Sequence, residues 1–441
     1  MRWLMVSQDT PRDVLGGTEL YVRRLSEALL DREIDVFWTY YSEGDPELTK
    51  EDVKDEGIEY YNISGRNQSR TREQAWQIAP LGLDEFRQVL QLTKPDCVHF
   101  NGFGCNQSPE HFAAAKEAGA TVLMTYHSPG QSCSRWDLLY KGQDACSGRI
   151  DIERCTDCAL HRIGVPAPLR AVLSRVDLSQ LALVLPHGVQ HPLVRRKGLQ
   201  DYQRRWKGGM ATLDKVLWHA AWVRELLLLN GVPEDRLFHL PLPPPRSFAV
   251  IDSKEYSPYS NRRFVFIGRL TDIKGAHILT EAVRLLPPEE KIEVLLVGAK
   301  GPDEYLERIQ KECAQDHRVK LVPPVASHLI PNMMRDSDAV IIPSLWPETG
   351  PYTVLEALWT GTPVIGSDRG GIRELQSKWG WGVLFEAGNA RQLARVLVEC
   401  DFQSMRRDPT PFQASWREQF SRSLVALLRQ TQPMQEWTND I

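Results

Sequence analysis

The first 130 residues alternate short apolar runs with longer amphipathic ones. Trp3–Ser7, Asp35–Tyr40, Ile58–Ile63, Cys97–Phe100 and Thr121–Tyr126 read as buried strands. Between them, Thr18–Asp31, Leu83–Leu92 and Pro109–Ala118 repeat apolar residues at helical spacing. Two stretches break the rhythm: Pro129–Arg162, and the basic segment Val194–Lys207 with Arg195, Arg196, Lys197, Arg204, Arg205 and Lys207 around Tyr202 and Trp206. Lys215–Trp218 resumes as a strand, and a helix runs on to Leu229 before Gly231. The prolines between Pro241 and Pro245 can extend neither a helix nor a central strand, so the inter-domain linker is expected there.

Beyond the linker the alternation restarts. Strands are expected at Arg263–Ile267, Glu293–Val297, Val319–Val322, Ala339–Ile342, Pro363–Ser367 and Gly382–Phe385. Helices are expected at Gly275–Leu286, Asp303–Ala314, Leu329–Arg335, Tyr352–Thr360 and Ala390–Glu399. Apolar strands alternating with helices predict an α/β protein with parallel sheets covered on both faces. A chain of 441 residues is also too long for one ordinary core, which again favours two domains.

Composition narrows the classes. A hydrophobic content of 42% is ordinary for a soluble globular protein. The net charge of −4 gives no electrostatic case for nucleic acid. No apolar run reaches the roughly 18 residues that span a bilayer. Gln8 and Asp9 stand where the apolar core of a signal peptide would continue, so a cytoplasmic location is expected.

The densest chemistry lies in Pro343–Gly371, PSLWPETGPYTVLEALWTGTPVIGSDRGG. Glu348 falls in a proline-bracketed turn after a strand, and Glu356 falls on the helix that follows. Eight residues of helix rise about 12 Å. A glycosidase pair sits about 5–9.5 Å apart on one bond, so this spacing favours two carboxylates holding separate parts of one elongated ligand. Upstream, Arg269 and Lys274 bracket the turn between a strand and an amphipathic helix. A cation at a helix N-terminus is locally unfavourable unless an anion binds there, although two surface cations would look the same. Gly16-Gly17 opens the first helix, where glycine lets backbone N–H groups approach a phosphate; alone such a turn is weak evidence.

The Pro343–Gly371 segment resembles the signature of the retaining GT-B glycosyltransferases of family 4, with two glutamates separated by seven residues. The resemblance is strongest over Arg263–Phe385 and thin over 131–210. It implies two Rossmann-like domains facing a cleft: an acceptor-side domain over 1–245 with a cysteine-rich insertion at 129–162, and a nucleotide-sugar-binding domain over 246–408. A C-terminal stretch, 409–441, would return to the first domain through a helix near Phe412–Leu428. It implies a transferred sugar beside Glu348 and ribose hydroxyls on Glu356. A diphosphate would lie between Arg269 and Lys274 with no obligatory metal, and Gly16 and Gly17 would reach its phosphate across the cleft. His127, at a strand end, matches a family histidine close to the donor sugar, and His99 would face the acceptor; packed histidines are the alternative. Gly350, Tyr352 and Thr353 would offer main-chain groups to sugar and phosphate, and Gly370-Gly371 would shape the floor. Pro351 departs from the pattern, because many members carry glycine there and proline has no N–H.

Cys133, Cys146, Cys155 and Cys158 cluster within the insertion, and the closing CxxC fits two ligands of one metal. Some family members carry a similar cluster. A structural zinc is the expectation, with free thiols or a regulatory disulfide as alternatives. The basic segment 194–207 suits either anionic lipid at the inner membrane face or plain solvation. The expected partners are thus a UDP- or GDP-sugar and a glycan, lipid-linked or small-molecule acceptor, in glycan, polysaccharide or glycolipid synthesis. Sugar-nucleotide epimerisation, phosphorolysis, or binding without turnover stay open on the same scaffold.

Overall fold

The computed structural model describes residues 1–10, 16–44, 47–51, 57–66, 80–104, 106–182, 184, 191–246, 261–299 and 301–431. Cys105 and residues 247–260, which follow the linker, lie outside them.

The first half builds β1 (Arg2–Val6), β2 (Asp35–Glu43), β3 (Leu48–Lys50), β4 (Glu59–Arg66), β5 (Cys97–Phe100), β6 (Thr121–Thr125), a small hairpin of β7 (Leu139–Tyr140) and β8 (Asp144–Ala145), β9 (Lys215–Trp218) and β10 (Leu237–His239). Without the hairpin these form one sheet of order β10-β9-β6-β5-β1-β2-β4-β3. All neighbours in it are parallel except the edge pair β3–β4. The second half builds β11 (Arg262–Arg269), β12 (Ile292–Ala299), β13 (Val319–Val322), β14 (Ala339–Ile342), β15 (Val364–Ser367) and β16 (Gly382–Phe385), all parallel, in the order β13-β12-β11-β14-β15-β16.

Both sheets reverse their direction of growth beside their first strand, between β1 and β5 and between β11 and β14. Open α/β sheets bind ligands at the carboxyl ends of the strands at such a switch point. Gly16 follows β1, Asn101 follows β5, Arg269 ends β11 and Glu348 follows β14. Topology alone therefore gathers the sequence-derived candidates around one seam.

A shared apolar cluster closes that seam. Trp3, Tyr21 and Leu25 of the first sheet layer pack in one cluster with Ile342, Tyr352 and Trp359 of the second. The helix Thr410–Thr431 adds Phe412, Trp416, Phe420 and Leu424. Trp416 Nε1 donates to Leu242 O in the linker at 2.9 Å, and Ser421 Oγ accepts from Arg32 at 3.0 Å.

Some elements differ from the sequence reading. The basic interruption is a helix, Arg195–Thr212, packed against the first domain. Leu199, Tyr202, Trp206 and Met210 recur at helical spacing and are buried, which decides the matter over the charge run. Helices also form at Ile152–Arg162, Ala167–Leu173 and Gly370–Trp379, where none was expected.

Candidate active site

Glu348 sits in the Pro343–Pro351 loop against the turn that carries Lys274. That turn is a short 3-10 segment, Asp272–Lys274, placed just before the helix Ala276–Arg284 rather than within its first turn. Gly275 makes the approach feasible: its φ is +75°, and a Cβ there would lie 2.0 Å from Pro343 O. Lys274 Nζ reaches Glu348 Oε1 at 2.7 Å, and the Ser344 hydroxyl (2.6 Å) and Trp346 indole (2.8 Å) donate to the same oxygen. Burial pushes the Glu348 carboxyl up, but the Lys274 charge and these three bonds outweigh it and hold the pKa below the usual carboxylate range. The backbone is pinned as well. Glu348 O accepts from Gly371 N at 2.7 Å and from Trp222 Nε1, across the seam, at 2.9 Å. Gly370, at φ +49°, lies so close that a Cβ would come within 2.9 Å of Glu348 N and O.

Glu356, on the helix Tyr352–Trp359, meets a residue that the sequence reading missed. Arg24, from the first-domain helix Gly17–Leu30, lies 2.6 Å from its Oε1 with side-chain exposures of 8% and 12%. So little water screens the pair that it is strong and costly to break. The Tyr352 ring lies 4.8 Å beneath the guanidinium, and a Cβ on Gly17 would touch that ring at 3.9 Å. Burial raises the Glu356 carboxyl above its usual value, and Arg24 draws it back only in part. Arg24 Nη1 and the Tyr352 hydroxyl are buried without a hydrogen-bond partner among the described residues. A sequence signal for Arg24 existed: it is a charge on the same buried face as Tyr21, Val22 and Leu25.

His127 follows β6 and keeps part of its surface exposed. Asn101 Nδ2 donates to Val6 O and His99 O, both at 3.3 Å, so its Oδ1 faces His127 Nε2 at 3.0 Å. This network assigns the His127 proton to Nε2 and leaves Nδ1 as an acceptor. Burial, then His219 and His99, depresses its pKa well below the usual value, so the ring is neutral. Thr349 Oγ1 donates to His127 O at 2.6 Å, tying the Glu348 loop to this strand end. His99 does not line a surface. It is fully buried, bonds Thr125 at 2.7 Å, and burial pushes its pKa down to about 3.

Arg269 is exposed at the end of β11, and its charge acts on Glu19 across the seam. Glu19 folds back over the Gly16 turn: its Oε2 lies 2.7 Å from where a Gly16 Cβ would be, and its carboxylate interacts with the backbone of Gly16 and of Glu19 itself. The expected anion position at this helix N-terminus therefore holds the chain's own carboxylate. Gly350 packs on Leu242, and Thr353 Oγ1 lies 3.5 Å from Ile267 O, at the limit of a hydrogen bond. Glu374 accepts from the backbone N–H groups of Ala221 (2.6 Å) and Trp222 (2.9 Å), another bond across the seam. Beside the Glu348 loop, an open cleft of about 890 Å³ has Cys146, Trp222, Pro347, Gly370 and Phe385 in its walls.

The four clustered cysteines are near neighbours, since Cys155 feels the charge of Cys133, Cys146 and Cys158, and burial raises its pKa to about 12. Yet among the described residues no three His, Cys, Asp or Glu side chains are arranged to hold a metal ion.

A family model described as Glycosyltransferase Family 4 matches residues 15–243, more than half of the chain. The chain belongs to glycosyltransferase family 4. A second model, Glycosyl transferases group 1, matches residues 250–399 of this family 4 member. Relatives include a D-inositol 3-phosphate glycosyltransferase of Corynebacterium urealyticum, 29% identical over 41% of this chain and 45% of that protein. The amylovoran biosynthesis glycosyltransferase of Erwinia amylovora is 29% identical over 48% of this chain and 53% of its own length. The chain thus spans about half the length of these curated relatives. Sucrose-phosphate synthase from Thermosynechococcus elongatus superposes with a TM-score of 0.61 at 18% identity, over 97% of this chain and 98% of that one. Anabaena HepE, solved with UDP and glucose, gives 0.58 at 16% identity, over 97% and 100%. The fold of this family 4 member is GT-B.

Proposed function

We propose that the protein is a retaining glycosyltransferase that moves a sugar from a nucleoside diphosphate donor to an acceptor hydroxyl. The observation that carries the reading is the Glu348 carboxylate, kept ionised by three donors on one oxygen, with Oε2 outside that set, at the switch point of the second sheet. Glu348 positions the sugar and supports positive charge developing at its reacting carbon. Glu356 binds the ribose hydroxyls. Arg269 and Lys274 face the diphosphate and stabilise the leaving phosphate, and Gly350, Tyr352 and Thr353 border the sugar and phosphate. The neutral His127 accepts a sugar hydroxyl at Nδ1. Gly16 and Gly17 serve the phosphate once the Glu19 carboxylate is displaced. The acceptor enters through the cleft beside Pro347 and Gly370 and attacks on the face that the diphosphate leaves, with the leaving phosphate taking its proton. This front-side route retains configuration.

The donor is a UDP- or GDP-sugar, and the UDP-bound neighbour of the same fold supports the UDP class. A glycan, lipid-linked or small-molecule acceptor fits the named relatives. A structural zinc on Cys133, Cys146, Cys155 and Cys158 is a separate proposal that needs the hairpin to close. Metal analysis of the purified chain tests it, and less than about 0.2 zinc per chain would end it. For the transfer reaction, Glu348→Gln and Lys274→Ala should each lower turnover at least about 100-fold, on the order of 3 kcal/mol of barrier. NMR of the product should show the donor's anomeric configuration. Near-wild-type turnover in either variant sinks the assignment, and an inverted product sinks the front-side route.

A further inference from the structure

Large apolar side chains are seldom left in water together, and here they gather in one place. Ile163, Leu169, Val172, Val176, Leu181 and Val184 are all more than a third exposed, from 39% at Ile163 to 81% at Val184. These six make up more than half of the exposed large hydrophobics among the described residues. Leu169, Val172 and Val176 recur at steps of three and four, so they share one side of the helix Ala167–Leu173 and the turn after it. Leu173, at the edge of this row, turns instead into a small core with Leu160 and Val165, with Leu178 and Leu193 packed on it. The exposed row is therefore an amphipathic element's outer face, with nothing of the described chain left to cover it.

The charge beside that face is mostly positive, with Asp157 and Glu153 of the neighbouring helix among its few acids. Segments 162–184 and 194–207 carry nine Lys and Arg residues against Asp177 and Asp201. The helix Arg195–Thr212 lies alongside, since it packs on the short helix Ser179–Ala182 and Arg196 donates to Ser174 O. Some of these cations have partners: Arg170 with Asp157, Arg175 with Glu153, Arg205 with Glu110, Lys197 and Arg204 with Asp201. Arg162, Arg175, Arg204 and Lys207 are nonetheless exposed to solvent.

We propose that this face docks on an anionic membrane surface, with Leu169, Val172, Val176 and Leu181 entering the headgroup boundary and the flanking cations meeting lipid phosphates. An exposed apolar row rimmed by cations is what an interfacial element needs, because burial supplies attachment and charge supplies selectivity for anionic lipid. No helix among the described residues is long and apolar enough to cross a membrane, so contact is at the surface. The site moves from the basic helix by itself to the apolar row beside it. The proposal uses no part of the transfer reaction.

The test is flotation of the full chain with vesicles of phosphatidylcholine and phosphatidylglycerol, at about 7:3, against phosphatidylcholine alone. The wild type should bind the anionic vesicles, and about 0.5 M salt should weaken the binding. Leu169→Ser/Val172→Ser/Val176→Ser should lower the bound fraction at least about tenfold, because the apolar row supplies the burial. Arg204→Gln/Lys207→Gln should weaken binding and flatten its salt dependence. All of these positions are exposed, and an unchanged thermal melt checks that the variants fold. A wild type that stays in solution, or a serine variant that floats equally well, overturns the proposal. So does a wild-type dimer that the same serine substitutions dissolve, since a second copy would then cover the face.

Discussion

At the scale of single residues, the two glutamates of the signature have been given opposite electrostatics. Glu348 gains more from Lys274, Ser344 and Trp346 than burial costs it, so its pKa falls. Its stabilising contribution is thus present above the ordinary carboxylate pKa and is lost as pH drops through the depressed value. Glu356 has only Arg24 against the same burial, and its pKa rises. Its contribution runs the other way: it is present below the unfolded value and is lost as pH climbs through the raised one. On the proposed ribose role the ionised form is the useful one, so the acid limb of activity should follow Glu356 rather than Glu348. Arg24→Met removes the charge that draws that pKa down. The acid limb of kcat/KM should then move to higher pH, with a raised KM for donor; a limb that stays in place would falsify the assignment. Glu348, Glu356, Arg269 and Lys274 were legible in the sequence because they sit at fixed spacing within contiguous segments. Arg24 showed only as a charge on a buried helix face, because its partner Glu356 is 332 residues away and only folding brings them together.

At the scale of elements, the glycines at the start of the helix Gly370–Trp379 do more than shape a floor. Gly371 N holds Glu348 O, and Gly370 combines a positive φ with a site where a Cβ would lie only 2.8–2.9 Å from Pro347 and Glu348. Gly370→Ala adds a methyl group with nowhere to go and a left-handed backbone strain of about 1 kcal/mol or more. We expect a loss in kcat of at least about tenfold from displaced Glu348, with the fold retained. Circular dichroism with steady-state kinetics checks this, and an unaffected kcat would show that the loop tolerates the shift. The basic segment teaches the converse lesson. Its charge run suggested an exposed loop, but Leu199, Tyr202, Trp206 and Met210 recur on one face, and their burial made it a helix. Periodicity outranked composition because apolar burial is what folding rewards, whereas long cationic side chains remain solvated from a helix as easily as from a loop.

At the scale of the whole molecule, bonds across the seam join the two sheets around the site: Arg24–Glu356, Thr349–His127, Trp222–Glu348 and Glu374 with the 221–222 backbone. A donor held at this seam contacts both domains and stabilises the folded chain as a unit. A UDP- or GDP-sugar at 100 times its Kd should add about 2.7 kcal/mol and raise Tm measurably, whereas a free sugar should not. A thermal-shift screen reads this directly, and no response to any nucleotide or nucleotide sugar would remove the donor reading. The sequence by itself determined the alternation of strand and helix, the linker prolines and the paired glutamates, because periodicity, proline geometry and spacing are local properties. Tertiary structure alone decided that Arg24 meets Glu356, that Glu19 occupies the Gly16 turn, and that His99 is sealed beneath the site. Each depends on distance between segments remote in the chain, and burial and pKa are set by that distance.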